Sequence, residues 1–279
     1  MKFLCSISLF WKYARFRYVF YRIFLRIKMG KNKRDKFLRE NRISEFDFLP
    51  ERTYTMESGV KAIPRRRTRD FQMLFLSREE GVKRHLVMKE NETFVDVGAN
   101  VGSYSLMVAN EHRGRVIRVI AIEAHPGNYR ALLRNVLCNN FEEIVKPINK
   151  VVSNHKGLVS IYERSHDGTR VDSELYSVCN DKYLDASNIL HPGGKSLEVE
   201  CDTLDNILDN YKVDVMKIDV EGAEILALEG GSKTMEKLRK IVVEIHGDNL
   251  ESVKRLLEKN GFGIELTSGL GGVHVIGSK

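Results

Sequence analysis

Apolar and polar positions along the chain follow two spacings in turn, and this alternation predicts an α/β protein. Short apolar runs bounded by turn residues predict strands at residues 93–97, 116–123, 145–152, 213–218 and 241–245. Helical 3.6-residue spacing follows the first two runs and recurs at residues 250–260. Two strand–helix units in series predict a right-handed parallel sheet.

Three weaker patterns complete this prediction. Residues 46–75 alternate around the turn at Ser58-Gly59, which predicts short strands, and Ser77 with Glu80 forms a capping box for a helix reaching about Met88. Residues 163–196 are polar and rich in turn residues. Such a segment is either a substrate-selecting loop or disordered.

The stretch from Thr93 to Tyr104, T-F-V-D-V-G-A-N-V-G-S-Y, predicts a strand, a glycine turn and the start of a helix. Glycines in such a turn let backbone amides approach a ligand. The spacing D-x-G-x-N-x-G departs from the dinucleotide pattern G-x-G-x-x-G, which argues against a pyrophosphate. Asp96 instead suits a cationic amine, such as the amino-acid end of S-adenosylmethionine. The alternative is an ordinary turn without a ligand.

Besides Asp96 in the first strand, acidic residues follow two more of the predicted strands. Glu123 follows the second run, 27 positions after Asp96, and a carboxylate there can accept both hydroxyls of a ribose. A solvent-facing glutamate is the alternative. Asp219, Glu221 and Glu224 follow the run at 213–218, where burying them costs free energy unless a partner uses them.

Composition favours a globular protein without a zinc site. The 279 residues are 42% hydrophobic and 30% charged. Four cysteines are scattered without C-x-x-C spacing, which indicates reduced thiols in a cytosolic protein. They are Cys5, Cys138, Cys179 and Cys201.

The positive charge is concentrated at the N-terminus. In residues 1–42 thirteen Lys or Arg stand against two acids, a balance of +11, so the rest of the chain carries −4 of the +7 total. Aromatic residues lie among these cations, and no uncharged run of 18 residues occurs, so a spanning helix is not expected. Residues 1–28 fit a helix lying on an anionic membrane. The alternatives are a helix packed on its own domain and an arm that binds nucleic acid.

Four segments together resemble the FkbM family of S-adenosylmethionine-dependent methyltransferases. They are F-V-D-V-G-A-N-V-G-S-Y, A-I-E-A-H-P-G-N, M-K-I-D-V-E-G-A-E and I-V-V-E-I-H. The resemblance covers roughly residues 65–265. It implies a Rossmann-like class I fold, in which a mostly parallel seven-stranded sheet has an antiparallel last strand. We therefore divide the chain into a basic, helical N-terminal extension (1–45), strands and a helix leading into the core (46–92), and a methyltransferase domain (93–279).

The resemblance also implies a set of site residues. The cofactor would be S-adenosylmethionine, held by Asp96, Gly98, Ala99, Asn100, Gly102, Glu123, Ala124 and Asp219. The candidates for the base that takes a proton from the acceptor are Asp219, Glu221 and His246, which all follow predicted strands at the carboxyl edge of the sheet. A structural histidine is the alternative for His246. Asp219, Glu221 and Asp248 are also of the type that holds Mg²⁺, but the spacing does not establish a metal, and we predict none.

The expected function is O-methylation of a glycan, a glycolipid or another small hydroxylated metabolite. We expect the protein in the cytoplasm, peripherally on the inner membrane surface. Two alternatives remain. An RNA methyltransferase would use the basic arm, although the chain lacks an N/D-P-P-Y/F motif and a catalytic C-x-x-C. A non-catalytic module would bind the cofactor only.

Overall fold

The computed structural model describes residues 17–25, 27–40, 48–56, 58–66, 68–76, 80–165, 171–178, 196–269 and 272–279. The strands are β1 (Tyr54–Thr55), β2 (Lys61–Ala62), β3 (Thr93–Val97), β4 (Arg118–Ile122), β5 (Val145–Ile148), β6 (Val151–Val152), β7 (Gly157–Ser165), β8 (Val171–Val178), β9 (Ser196–Asp202), β10 (Val215–Ile218), β11 (Lys240–Glu244), β12 (Gly263–Ser268) and β13 (Val273–Ser278).

The described part of the chain also contains helices, and a π-helical turn spans Gln72–Leu76. The helices are α1 (17–25 and 27–29), α2 (Lys31–Glu40), α3 (Glu80–Lys83), α4 (Ser103–Glu111), α5 (Pro126–Leu137), α6 (Leu204–Ile207), α7 (Glu224–Glu229), α8 (Ser232–Lys237) and α9 (Leu250–Lys259).

The main sheet has seven strands in the order β12-β13-β11-β10-β3-β4-β5. Strands β11, β10, β3, β4 and β5 are parallel to one another. Strand β13 pairs antiparallel with both β11 and β12. This confirms the expected Rossmann-like sheet with an antiparallel last strand. The strand order changes direction between β3 and β10, the point at which open α/β sheets bind ligands beyond the carboxyl ends of their strands.

The sheet has a hydrophobic core on each face. Successive strand residues point to opposite faces, so Phe94 packs with residues of α4 and α5 while Val95 packs with residues of α6 to α9. By the same alternation Asp96 shares the face of Phe94. Lys217 lies directly opposite Asp96 in the β3–β10 register and therefore projects from the same face.

A second sheet, of four strands in the order β6-β9-β7-β8, follows β5 in the chain. The single strand predicted at 145–152 is therefore wrong, because its two halves, β5 and β6, belong to different sheets. The polar segment 163–196 also contains a strand, since β8 pairs antiparallel with β7. An edge strand is held by backbone hydrogen bonds and needs no apolar run. Residues 166–170 and 179–195 lie outside the described residues.

The helix predicted from Ser77 to about Met88 is much shorter in the structure. It covers only Glu80–Lys83, and residues 77–79 are not described. Val82, Leu86 and Met88 are buried in one core. Leu86 and Met88 are two positions apart, a spacing that puts side chains on one side of an extended chain but on nearly opposite sides of a helix.

The N-terminal helices α1 and α2 are joined at Gly30, which has a positive φ of 79°. The rings of Tyr18 and Tyr21 lie 6.0 and 5.5 Å from the ring of Phe48. Residues 1–16, 26 and 41–45 of the predicted extension are not described, nor are residues 46 and 47 that follow it. Within the described residues no helix combines the length and apolar character needed to cross a membrane.

Candidate functional site

The glycine turn after β3 is shaped by the packing of the protein itself. Gly98 has a φ of 78°, and a Cβ there would lie 1.8 Å from the backbone oxygen of Asp219. Gly102 has a φ of 96°, and its Cβ would lie 2.7 Å from Leu132 Cδ1. Asn100, between them, also has a positive φ, of 50°. Gly98 is thus required by a close backbone contact within the protein, and Gly102 by its positive φ, whereas the sequence pattern alone had indicated the approach of a ligand.

Asp96 is buried at the carboxyl end of β3. Its Oδ2 accepts a hydrogen bond of 2.6 Å from Oγ of Ser105 on α4. Its Oδ1 is buried and has no hydrogen-bond partner among the described residues. Burial raises the pKa of Asp96 because the charged form loses hydration, although the Lys217 ammonium acts in the opposite direction.

Lys217, in the middle of β10, is a buried cation that the sequence analysis did not single out. Its Nζ lies 2.9 Å from Oδ2 of Asp219 and 4.5 Å from the centre of the Tyr104 ring. Burial lowers the pKa of Lys217, but the charges of Asp219, Asp96 and Glu244 outweigh burial and raise it. Lys217 therefore stays charged.

Asp219 follows β10 and remains ionised. Burial raises its pKa, but Lys217 and then His246 favour the carboxylate and lower the pKa below the usual value. Asp219 is thus a fixed negative charge at the carboxyl edge of the sheet.

Glu123 forms hydrogen bonds with the loop after β3 and with the loop after β4. Its Oε2 accepts from the backbone N–H of Asn100 (2.8 Å), and its Oε1 accepts from the backbone N–H of His125 (2.8 Å) and from Asn128 Nδ2 (3.3 Å). Asn128 also accepts a hydrogen bond of 2.8 Å from Arg65. The carboxylate is buried, so the alternative of a solvent-facing glutamate is wrong.

His246 and Glu224 form a hydrogen-bonded pair next to Asp219. Nδ1 of His246 lies 2.7 Å from Oε1 of Glu224. Glu224 is completely buried and also accepts from the backbone N–H of Gly222 (2.9 Å) and from Asn249 Nδ2 (2.6 Å). The Glu224 carboxylate therefore fixes the orientation of the imidazole ring. The sequence placed Glu224 in the acidic group but gave no sign of this contact.

The other ring nitrogen of His246 faces more carboxylates. Nε2 lies 3.7 Å from Glu221, 3.8 Å from Glu244 and 4.0 Å from Asp219. Burial lowers the pKa of His246, but the hydrogen bond to Glu224 and the charges of Glu221 and Asp219 outweigh burial and raise the pKa to about 9. The ring is therefore protonated at neutral pH, and Nδ1–H donates to Glu224.

Glu221 adopts a left-handed backbone conformation, with a φ of 48°. A non-glycine residue there is strained by about 1–2 kcal/mol, and such strain is concentrated at functional sites. The strained turn places the Glu221 carboxylate beside His246.

Asp219, Glu221 and His246, the three predicted catalytic candidates, lie together. One ligand atom from each lies within 4.8 Å of the others, a set that a divalent cation can bridge. Asp248 is not a member of this set. Cys138 and Cys201 are free thiols outside it, and Cys5 and Cys179 are not described.

The predicted cofactor residues occupy the adjacent loops. Asn100 contacts Glu123, and Gly98 packs against Asp219, so the β3–α4 loop joins the two carboxylates. Ala99 donates its N–H to the carbonyl of Ile122, and the carbonyl of Ala124 accepts from Asn149 Nδ2 (2.9 Å). The structure thus brings the predicted residues of three strands to one edge.

We expect Glu224→Gln to lower the pKa of His246, because a neutral amide no longer favours the protonated ring. The pKa follows from an NMR titration of the His246 ring, with Glu229→Gln on the same helix as the matched control. Since about 9 exceeds the ordinary value of 6.5, this pair stabilises the fold below about pH 6.5 and loses that contribution as the pH rises through about 9. An unchanged His246 pKa in Glu224→Gln would contradict the assigned role of Glu224.

Sequence comparison identifies one family. The profile of the methyltransferase FkbM domain matches residues 96–264, more than half of the chain. Methyltransferase sdnD of Sordaria araneosa is 28% identical over 198 residues, which cover 63% of this chain and 76% of that protein. Hexuronic acid methyltransferase AglP of Haloferax volcanii is 24% identical over 188 residues, covering 64% of this chain and 66% of that protein.

A comparison with solved structures finds methyltransferase FkbM from Methylobacillus flagellatus KT. The TM-score is 0.49 at 17% sequence identity, and the match covers 69% of this chain. The chain spans 45% of the length of that protein.

Proposed function

Because the chain belongs to the FkbM methyltransferase family, we propose that it transfers the methyl group of S-adenosylmethionine to a hydroxyl of a glycan, a glycolipid or another small hydroxylated metabolite. Membership of this family identifies the chain as a methyltransferase. The acceptor class is supported by the similarity to AglP, which is named a hexuronic acid methyltransferase. The observation that carries the proposal is the orientation of His246, whose Nε2 lies near Asp219 and Glu221 while Glu224 holds Nδ1.

Two buried oxygens in the β3–α4 region fit the proposed cofactor. Oδ1 of Asp96 and Oδ1 of Asn100 are buried and have no donor within the described part of the chain. A buried acceptor without a donor costs free energy, so a ligand that supplies N–H groups is stabilised there. The ammonium of S-adenosylmethionine is such a donor, and its positive charge also favours the ionised form of Asp96.

Glu123 and the neighbouring loops complete the proposed cofactor site. The carboxylate of Glu123 holds the backbone of Asn100 and His125 in place, and we propose that it also meets the ribose hydroxyls. Gly98, Ala99, Gly102 and Ala124 lie in the same two loops. The cofactor would supply a methyl group on a cationic sulfur. We propose that the negative charge of the Asp219 carboxylate stabilises this cation.

The acceptor needs a base, because a hydroxyl is a weak acid. We propose that Nε2 of His246 takes the hydroxyl proton as the oxygen forms its new bond to the methyl carbon. The carbon–sulfur bond would break in the same step, and the cofactor would leave as the neutral thioether S-adenosylhomocysteine. Glu224 stabilises the ring cation that results. The high pKa of His246 means that the ring must first lose its own proton. A cationic ligand beside Asp219 and Glu221 favours that loss by repelling the ring charge. Lys217 keeps Asp219 ionised throughout.

Isothermal calorimetry with S-adenosylmethionine tests the cofactor site. We expect wild-type protein to bind it and Glu123→Gln to bind it about tenfold or more weakly, because the amide offers one acceptor oxygen where the carboxylate offers two. Glu142→Gln, an exposed glutamate in the turn before β5, is the matched control. Absence of binding by folded wild type, or equal affinity in Glu123→Gln, would contradict the proposed site.

A further inference from the structure

Helix α1 carries a stripe of apolar side chains that faces solvent. Within the described part of the chain eleven large apolar residues are exposed, and five of them lie between residues 19 and 27. At 3.6 residues per turn these five fall within an arc of roughly 140°. Ile27, at the middle of the arc, is 82% exposed. The stripe consists of Val19, Phe20, Ile23, Phe24 and Ile27.

The opposite side of α1 packs on the domain, which fixes the direction of the stripe. Leu25 is buried, and Tyr18 and Tyr21 contact the ring of Phe48. Phe48 in turn packs on a small core formed by Leu49, Tyr54 and Phe71. The helix therefore has an inner face that packs on the domain and an outer face whose apolar side chains are exposed. A contiguous exposed apolar patch of this kind marks an interaction surface.

Positive charge surrounds the stripe. Residues 17–36 contain eight Lys or Arg against one acid, Asp35. Lys28, Lys31 and Lys33 are exposed, whereas Arg22 and Arg34 pair with Asp35. A second copy would bring two such cationic segments together, which repulsion disfavours. A surface that offers both negative charge and apolar groups complements the lysines and the apolar stripe together.

We propose that the outer face of α1 binds the surface of a membrane that contains anionic lipid. The helix lies in the interface, with its five apolar side chains among the lipid chains and its lysines at the headgroups. Among the described residues no helix is both long and apolar enough to cross the bilayer.

The membrane contact is linked to the candidate site by packed side chains. The Phe71 ring stacks on Phe75, at 4.7 Å between ring centres. Phe75 belongs to the same π-helical turn as Met73, whose carbonyl accepts a hydrogen bond from Ser103 at the start of α4. Binding of α1 to a membrane would therefore hold the start of α4, and with it the candidate site, near the membrane surface.

Flotation of the full chain with vesicles tests the proposal. The vesicles are phosphatidylcholine alone and phosphatidylcholine mixed with phosphatidylglycerol. We expect wild type to bind the mixed vesicles, with binding that weakens in high salt. The variant Ile23→Ser, Phe24→Ser, Ile27→Ser should bind about tenfold or more weakly, because three apolar side chains no longer enter the lipid.

The matched control replaces three exposed apolar residues elsewhere, as Val87→Ser, Val116→Ser, Leu158→Ser, and should bind vesicles like wild type. Both triple variants should bind S-adenosylmethionine like wild type, so failure of the membrane proposal is separable from failure of the methyltransferase proposal. Equal vesicle binding by the α1 variant overturns the proposal. The proposal is also overturned if wild type does not bind vesicles but forms a dimer that the α1 variant disrupts. It is likewise overturned if wild type binds RNA and not vesicles.

Discussion

Replacing His246 by Gln should slow methyl transfer by about 10²- to 10⁴-fold, the usual contribution of a general base. Gln can still donate to Glu224, so the fold and the affinity for S-adenosylmethionine should be unchanged. What is lost is the nitrogen that receives the proton of the acceptor hydroxyl. The wild-type kcat/KM should rise with pH toward the His246 pKa of about 9 in the free protein, because the base form of the ring becomes more abundant. In His246→Gln this dependence on pH should disappear.

The assay is transfer of tritiated methyl from S-adenosylmethionine, with His155→Gln as the control, since His155 is exposed. Addition of EDTA distinguishes a role of His246 as a base from a role as a metal ligand. We expect no effect of EDTA on the wild-type rate, because a proton acceptor needs no cation bridging Asp219, Glu221 and His246. If His246→Gln keeps the wild-type rate, His246 is not the base. If EDTA abolishes the rate, Asp219, Glu221 and His246 bind a metal ion.

Lys217→Met should lower the free energy of unfolding by about 3–5 kcal/mol, the usual effect of removing one partner of a buried ion pair. Lys217 is buried between Asp96 and Asp219, and its ammonium is 2.9 Å from the Asp219 carboxylate. Methionine fills a similar volume but removes the cation that acts most strongly on both carboxylates. The substitution should also raise the pKa values of Asp96 and Asp219, since Lys217 opposes that rise in both.

Urea unfolding measures this effect. Lys233→Met, an exposed lysine on α8, should change stability by no more than about 0.5 kcal/mol. In a double-mutant cycle, Asp96→Asn should cost less in the Lys217→Met background than in wild type, because it removes one of the uncompensated charges. Additive effects of the two substitutions, or a Lys217→Met protein as stable as wild type, would show that Lys217 and Asp96 are not coupled.

The sequence predicted the main sheet because its strands are continuous apolar runs with turn residues at their ends. It also predicted that Asp96, Glu123, Asp219 and His246 end strands of that sheet. Since parallel strands end at one edge, the meeting of Asp219, Glu221 and His246 follows from that pattern. The antiparallel last strand came from the family resemblance, and the structure confirms it.

Other parts of the site could not be predicted because they depend on register and burial. Lys217 sits in the apolar run V-M-K-I, and only the pairing of β3 with β10 places it opposite Asp96. Glu224 looks like any acid at the start of a helix until its burial and its contact with His246 are seen. The strand β8 was missed because the pairing of an edge strand leaves no apolar run in the sequence.

Incorporation of tritiated methyl from S-adenosylmethionine by the full-length wild-type protein is the most direct test of the proposed function. We predict label in a glycan, glycolipid or hydroxylated metabolite fraction, stable to ribonuclease. Label in an RNA fraction that ribonuclease removes would mean that the acceptor is nucleic acid. Absence of label from every fraction, with a protein that still binds S-adenosylmethionine, would mean a binding module without turnover and would contradict the proposed function.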